Sequence, residues 1–232
     1  MKKTTLRSQF KIIVSALMAL ALCNSCSDDD EGVDGPVEIQ FWDIVTYNGT
    51  TEGADLSTFT FRQVDDSPLI SLVSPTLLPD EIEAGTRMVI RYIPESGHAY
   101  TSGKIKLLSA SRINQGPVAT EWKDEFDNWN RDKVYLYSVW RTGSYLNFHV
   151  RLTYNTEPRL FQLAADPATL SSDFPDVYLI HVLAEPTDYH DRAYFASFDI
   201  SQIWDSPDVK GIRLHVANTN LEQSKFTFVK NN

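Results

Sequence analysis

The sequence predicts an all-β protein. From Val37 onward the apolar residues recur with a period of two rather than 3.6. The runs that carry this period are rich in Val, Ile, Tyr, Phe and Thr, residues that suit a pleated, half-buried surface. Turn formers separate them: Asn48-Gly49, Pro94 to Gly97, Thr142-Gly143, Asn155 to Pro158, Glu185-Pro186 and Ser206-Pro207.

Eleven strands follow from those rules. They are Val37 to Tyr47, Ser57 to Gln63, Arg87 to Ile93, Lys104 to Ile113, Lys133 to Trp140, Tyr145 to Tyr154, Arg159 to Ala164, Val177 to Leu183, Ala193 to Ile200, Lys210 to Val216 and Lys225 to Val229. Alternation is sharpest in Tyr145 to Tyr154. There Leu146, Phe148, Val150, Leu152 and Tyr154 form a dry face, and Tyr145, Asn147, His149, Arg151 and Thr153 a wet one. Ile212, Leu214 and Val216 alternate likewise with Arg213 and His215. One wet and one dry face implies antiparallel sheets in a sandwich or barrel. Helical candidates are short: one turn at Leu77 to Glu83, and Glu121 to Asn130, where Trp122, Phe126 and Trp129 fall at i, i+4 and i+7. Gln202 to Asp205 reads as a turn.

Eleven strands suit one large sandwich or two small β modules. Ser111 to Glu121, with Gly116-Pro117, is the best boundary. It leaves a first part (37–112) sized for an OB-like five-stranded barrel and a second (113–232) sized for an antiparallel β-sandwich.

The first 36 residues set the compartment. Met1 to Lys11 is basic, and Ile12 to Leu22 is an uncharged apolar run of 11 residues. A bilayer span needs about 20, so this is the layout of a signal peptide over residues 1–25. Small Ser25 precedes Cys26, which is therefore the expected cleavage and lipidation point. Cys23 is the alternative, although bulky Leu22 stands beside that bond. Two acyl chains on such a cysteine anchor stably where one is marginal. Residues 26–36 then form an acidic linker, opened by Ser27, Asp28, Asp29, Asp30 and Glu31. An acidic run directly after a lipidated cysteine resembles the surface-export signal of Bacteroides-type lipoproteins. The expectation is an outer-membrane lipoprotein exposed at the cell surface, with a periplasm-facing anchor as the alternative.

Charge excludes one class of partner. The leader holds four of the 21 basic side chains and no acid, so its removal leaves 17 against 31, a formal −14. Such a body repels phosphate backbones, which argues against nucleic acid, and its membrane partner is reached through the lipid rather than through charge. With Cys23 cleaved away and Cys26 acylated, the body has no disulfide and no thiolate site.

No residue pattern announces chemistry. There is no glycine-rich phosphate loop, no His-Glu-x-x-His and no Gly-x-Ser-x-Gly. Asp30, Gly32, Asp34 and Gly35 mimic part of a calcium loop, but Gly32 offers no side-chain ligand. Asp188-Tyr189-His190-Asp191 lacks a second His at ligand spacing and reads as a solvated turn. His181, between apolar neighbours, reads as structural, while His149 and His215 fall on wet faces. A Ser-His-Asp triad or a carboxylate pair for glycoside hydrolysis leaves no trace in spacing, so an extracytoplasmic hydrolase stays open as a third expectation behind binding and accessory roles. The expectation is no cofactor, no metal and no catalytic residue.

Trp122, Phe126 and Trp129 are the one constellation that suggests a ligand. Glu121, Asp124, Glu125, Asp127 and Asn128 surround them. Sugar C–H faces stack on aromatic rings while their hydroxyls bond to carboxylates and amides, so the cluster suggests glycan. The alternative is that the three rings close one end of the sandwich. An envelope protein is the other candidate partner, and the sequence sets no oligomeric state.

The chain also resembles the NigD-like lipoproteins of Bacteroides-type anaerobes. The resemblance lies in the Cys26 start with its acidic spacer, in Gly85-Thr86-Arg87-Met88-Val89-Ile90-Arg91-Tyr92 followed by Gly103-Lys104-Ile105-Lys106-Leu107-Leu108, and in Val139-Trp140-Arg141-Thr142-Gly143-Ser144-Tyr145-Leu146-Asn147-Phe148. It implies an N-terminal OB-like domain and a C-terminal β-sandwich. The family name derives from a bacteriocin-linked operon and carries no enzymatic activity. That leaves an accessory or structural subunit of an envelope assembly as the second expectation.

Overall fold

Strand pairing in a computed structural model of the chain follows the predicted alternation. The structure describes residues 38–51, 53–154, 159–183 and 190–230. The leader, Cys26, the acidic linker, the turns at 155–158 and 185–186, and Asp188 and Tyr189 of the polar cluster lie outside the described residues.

Five strands close a barrel: β1 (Phe41–Thr51), β2 (Leu56–Phe61), β3 (Ile70–Ser74), β4 (Arg87–Pro94) and β5 (Gly103–Arg112). Their order is β1-β2-β3-β5-β4, with β4 returning to β1 and β3 parallel to β5. Closure removes the exposed edges that a five-stranded sheet would leave. Alternate residues Val45, Tyr47, Phe59, Phe61, Leu72, Met88, Ile90, Tyr92 and Ile105 fill the interior. The predicted turn at Asn48-Gly49 is instead a bulge within β1. Asn48 is the extra residue, and Gly49 at φ 93° occupies left-handed backbone that a side chain would strain. The chain reverses at Gly53 to Asp55.

The remaining strands form two four-stranded sheets. One has the order β6-β11-β8-β7, from β6 (Asn114–Pro117), β7 (Tyr135–Thr142), β8 (Tyr145–Tyr154) and β11 (His190–Asp199). The other has the order β13-β12-β10-β9, from β9 (Leu160–Ala165), β10 (Asp176–Val182), β12 (Gly211–His215) and β13 (Lys225–Val229). Leu146, Phe148, Val150, Leu152 and Phe198 of the first meet Leu163, Val177, Leu179, Ile212 and Leu214 of the second in one core. Most pairs are antiparallel, but β10–β12 and β6–β11 run parallel. Between β10 and β12 the chain crosses to the opposite sheet as β11. It returns through one helical turn, α1 (Ser201–Trp204), the long crossover that a parallel pair requires. The expected turn at Gln202 to Asp205 is that helical turn. The segment Leu77 to Glu83 is a turn with an Ile82 N–H to Pro79 O bond of 3.0 Å, not a helix.

Residues from Glu38 onward form one compact unit, and two buried arginines join the barrel to the sandwich. Asn147, expected on a wet face, is fully buried because the barrel covers that part of β8. Its Oδ1 accepts from Arg87 Nη2 of β4 at 3.1 Å. On the other side, Arg141 of β7 donates from Nη1 and Nη2 to Asp66 at 2.9 and 2.7 Å. Asp66 lies in the loop between β2 and β3. Backbone bonds accompany that pair: Asp65 N–H to Arg141 O at 2.7 Å and Gly143 N–H to Asp65 O at 2.8 Å.

Candidate functional site

The segment between β6 and β7 runs as a strap over the outer face of the β9–β10–β12 sheet. Its ends are fixed by the backbone. Ala119 bonds both ways with β9, its N–H to Leu163 O at 2.9 Å and its carbonyl to Ala165 N–H at 2.8 Å. Val134 N–H bonds Ala217 O at 3.0 Å. Farther along, Arg131 Nη2 donates to Leu183 O at 2.7 Å, and Asp132 Oδ2 accepts from Leu183 N–H at 2.8 Å.

The predicted helix over Glu121 to Asn130 is a shorter 3-10 turn, Asp124–Asn128. Bonds from Phe126 N–H to Lys123 O and from Trp129 N–H to Phe126 O (2.8 and 2.9 Å) hold it. A 3-10 turn repeats every three residues, so Phe126 and Trp129 share a side. Trp122 precedes the turn and reaches back over it, its Nε1–H donating to Asp127 Oδ1 at 2.8 Å. The structure thus brings the three aromatic residues together but gives them different surroundings. Phe126 is fully buried on Ala164 and Ile180. Burial removes it from contact with any ligand, so its expected place in a binding face is corrected to that of a plug beneath it. Trp122 and Trp129 are half-buried and pack on this plug.

Tyr178 of β10 completes the group. The Trp122 and Trp129 ring centroids lie 5.4 and 5.0 Å from it, with interplanar angles of 81° and 66°. The three rings, with Asp166, Pro167 and Ala168 at the start of the next 3-10 turn, line an open cleft of about 470 Å³. Asp166 caps that turn through Oδ1 to Ala168 N–H at 2.9 Å.

A charged row supports the floor. Tyr178 stacks on His215 with centroids 4.4 Å apart and planes within 10°. His215 Nε2 is 2.6 Å from Asp176 Oδ1, and Arg213 Nε and Nη2 donate to the two Asp176 oxygens at 2.9 and 2.7 Å. Burial pushes the Asp176 carboxyl up, but the bonds from Arg213 and His215 outweigh it and hold the group below its ordinary value. His215 thus lies on the outer face that alternation gave it, tied there to Asp176. Register explains the arrangement, because Asp176 pairs with Arg213 and Tyr178 with His215.

Two further histidines pack into the body rather than lining the cleft. His181 is buried, its Nδ1 2.8 Å from Asp132 O, and burial lowers its pKa. His149 keeps the outer face of β8 that alternation gave it, but it is half-buried there. It is sandwiched between Tyr137 and Phe195 at 4.5 and 4.4 Å, and burial lowers its pKa too. Asp191 accepts from Thr153 Oγ1 at 3.3 Å. Among the described residues no three His, Cys, Asp or Glu side chains gather as metal ligands. No described helix is long and apolar enough to cross a membrane.

Scanned against family models and against curated proteins, the sequence matches none. Comparison of folds does find relatives. A protein of unknown function from Bacteroides vulgatus superposes with a TM-score of 0.65 at 16% identity, covering 84% of this chain and 92% of its own. A provisionally assigned lipoprotein from Bacteroides fragilis gives 0.55 at 15%, covering 83% and 96%. A NigD-like immunity protein from Bacteroides caccae gives 0.57 at 15%, covering 82% and 98%. At these identities the likeness establishes the fold, and it is the fold that the sequence resemblance implied: this chain is built as the NigD-like immunity protein is built.

Proposed function

We propose that this protein is a non-catalytic, lipid-anchored envelope protein that binds neutral glycan in the cleft between Trp122, Trp129 and Tyr178. The observation that carries the reading is the three-ring wall itself. Three half-exposed rings around an open cleft, standing on a buried aromatic plug, offer rigid apolar faces at small entropic cost. Sugar C–H faces lie on such rings, and Asp166 at the rim supplies a carboxylate for hydroxyl groups. The acidic strap (Glu121, Asp124, Glu125 and Asp127) disfavours uronic or sulfated sugars.

Binding is favoured over catalysis because three carboxylates near the cleft each carry a bond already, Asp166 keeping only Oδ2 for a sugar hydroxyl. Asp127 holds the Trp122 indole, Asp166 caps a turn, and Asp176, kept ionised by Arg213 and His215, is a poor proton donor. The basic–apolar–Cys26 leader supports the anchor, and the provisional lipoprotein among the fold relatives agrees with it.

Titration of tryptophan fluorescence with neutral oligosaccharides (β-1,4-glucans, β-1,4-xylans, α-mannans) tests the reading. A saturable change is expected, weakened at least tenfold in Trp129→Ala, a loss typical of removing a stacked aromatic anchor. No saturation by any of the three, or equal affinity in the variant, refutes it.

A further inference from the structure

Arg87 stands apart from the glycan cleft, at the joint between barrel and sandwich. The residue is 4% exposed. Nε donates to Ser197 Oγ at 2.9 Å, Nη1 to Thr46 Oγ1 at 2.9 Å and Nη2 to Asn147 Oδ1 at 3.1 Å. Every one of these acceptors is a neutral oxygen. No described carboxylate lies within ion-pair distance of the guanidinium. Its fourth neighbour is the Tyr145 ring, 4.4 Å away.

Arg141 is the control inside the same molecule. It is as deeply buried, stacks likewise on an aromatic ring (Trp204, 4.4 Å), and is given Asp65 and Asp66 as counter-charges. Buried charges are paired as a rule, because an unpaired one forfeits hydration without recompense. Desolvation accordingly brings the Arg87 pKa down to about 10. A guanidinium has five N–H groups, and the three bonds above leave two.

Beside this group lies a pocket of about 220 Å³, lined by Arg87, Gln115, Tyr145, Ser197 and Asp199 with the Gly116 backbone. Gln115 Oε1 is taken by the Arg87 backbone N–H at 2.7 Å, which leaves the Gln115 amide nitrogen to donate. The volume suits a small group rather than a chain.

We infer that this pocket is an anion site, in which the Arg87 guanidinium and the Gln115 amide bind a small oxyanion, a carboxylate or phosphate group, as the missing counter-charge. Asp199 tunes the site in the opposite sense, because it lines the same pocket with a carboxylate whose Oδ1 accepts Ser201 N–H at 2.8 Å.

The test is thermal unfolding of the full-length chain in sodium acetate and, separately, sodium phosphate, each against sodium chloride at equal ionic strength. A bound anion raises the midpoint by mass action. The expected result is a saturable rise with at least one of the two oxyanions, and the two titrations tell carboxylate from phosphate. Arg87→Lys, which keeps the charge but loses the planar fork, should weaken it at least tenfold. Asp199→Asn, whose amide oxygen can still accept Ser201 N–H, should tighten it about threefold by removing a like charge. Should Arg87→Lys fail to fold, Asp199→Asn decides alone. A rise no different from chloride, or an affinity that a folded variant leaves unchanged, overturns the inference.

Discussion

Asp43 on β1 receives a hydrogen bond from Tyr92 Oη at 2.9 Å, and burial pushes its carboxyl up to about 7. The folded protein therefore keeps a proton there that the unfolded chain releases near its ordinary value of 3.8. Below about pH 4 both states are protonated and Asp43 costs nothing. As pH rises toward 7 ionisation favours the unfolded chain, stability falls, and above 7 the loss is complete. An asparagine in its place cannot ionise and still accepts from Tyr92. Asp43→Asn is thus expected to leave the melting temperature nearly unchanged at pH 4 and to raise it at pH 8. The gain is on the order of 2 kcal/mol after allowance for solvent, or about 4–8 °C for a chain of this size. A gain equal at both pH values would count against a buried, protonated Asp43. No sequence rule singles this residue out, because its burial comes from the barrel closing around it.

At the scale of elements, period-two alternation located most of the strands. β8 is the clearest case, with Leu146, Phe148, Val150 and Leu152 all fully buried. It failed for β3 and β6. β3 is only five residues long, and its inward set, Ile70, Leu72 and Ser74, holds two apolar residues, with Ser74 buried and its Oγ accepting Thr76 N–H at 3.1 Å, so the pattern is too short to stand out. In β6, Asn114–Pro117 contains no large apolar residue and is a strand because β11 pairs with it. The aromatic pair Trp122 and Trp129 was legible, but Tyr178 was not joined to them, since strand pairing alone brings β10 beneath the strap. Tight approach between elements was equally hidden. A Cβ on Gly211 of β12 would lie 2.2 Å from the Phe228 carbonyl oxygen and 2.8 Å from the Phe174 ring. The first obstacle is backbone and cannot rotate away. Gly211→Ala should therefore cost about 2–3 kcal/mol in denaturant unfolding. A cost under ~0.5 kcal/mol would mean that β12 and β13 are spaced more loosely than they stand here.

For the molecule as a whole, the joint between barrel and sandwich decides whether it unfolds as one body. Arg141 binds Asp66 and the Gly143 carbonyl while lying on Trp204. Replacing it with Met is expected to lower stability by about 2 kcal/mol. That is below the usual loss for a buried pair, because the exposed Asp66 rehydrates. Arg141 holds the Asp66 carboxyl below its ordinary value, so the pair contributes above about pH 4 and fades as pH falls. The wild-type midpoint should fall toward that of Arg141→Met in acid, as urea titrations at pH 7 and pH 3 would show; a constant gap between them would argue against the pair. The strap over β9 and β10 has the opposite character, being joined to the body by Ala119, Val134, the Arg131–Asp132 clasp and the Phe126 plug. Between those splice points its rim is free to be rewritten. The strap is in effect an exchangeable cassette, and grafting other rim sequences around a retained Phe126 offers a route to new specificities on an unaltered scaffold.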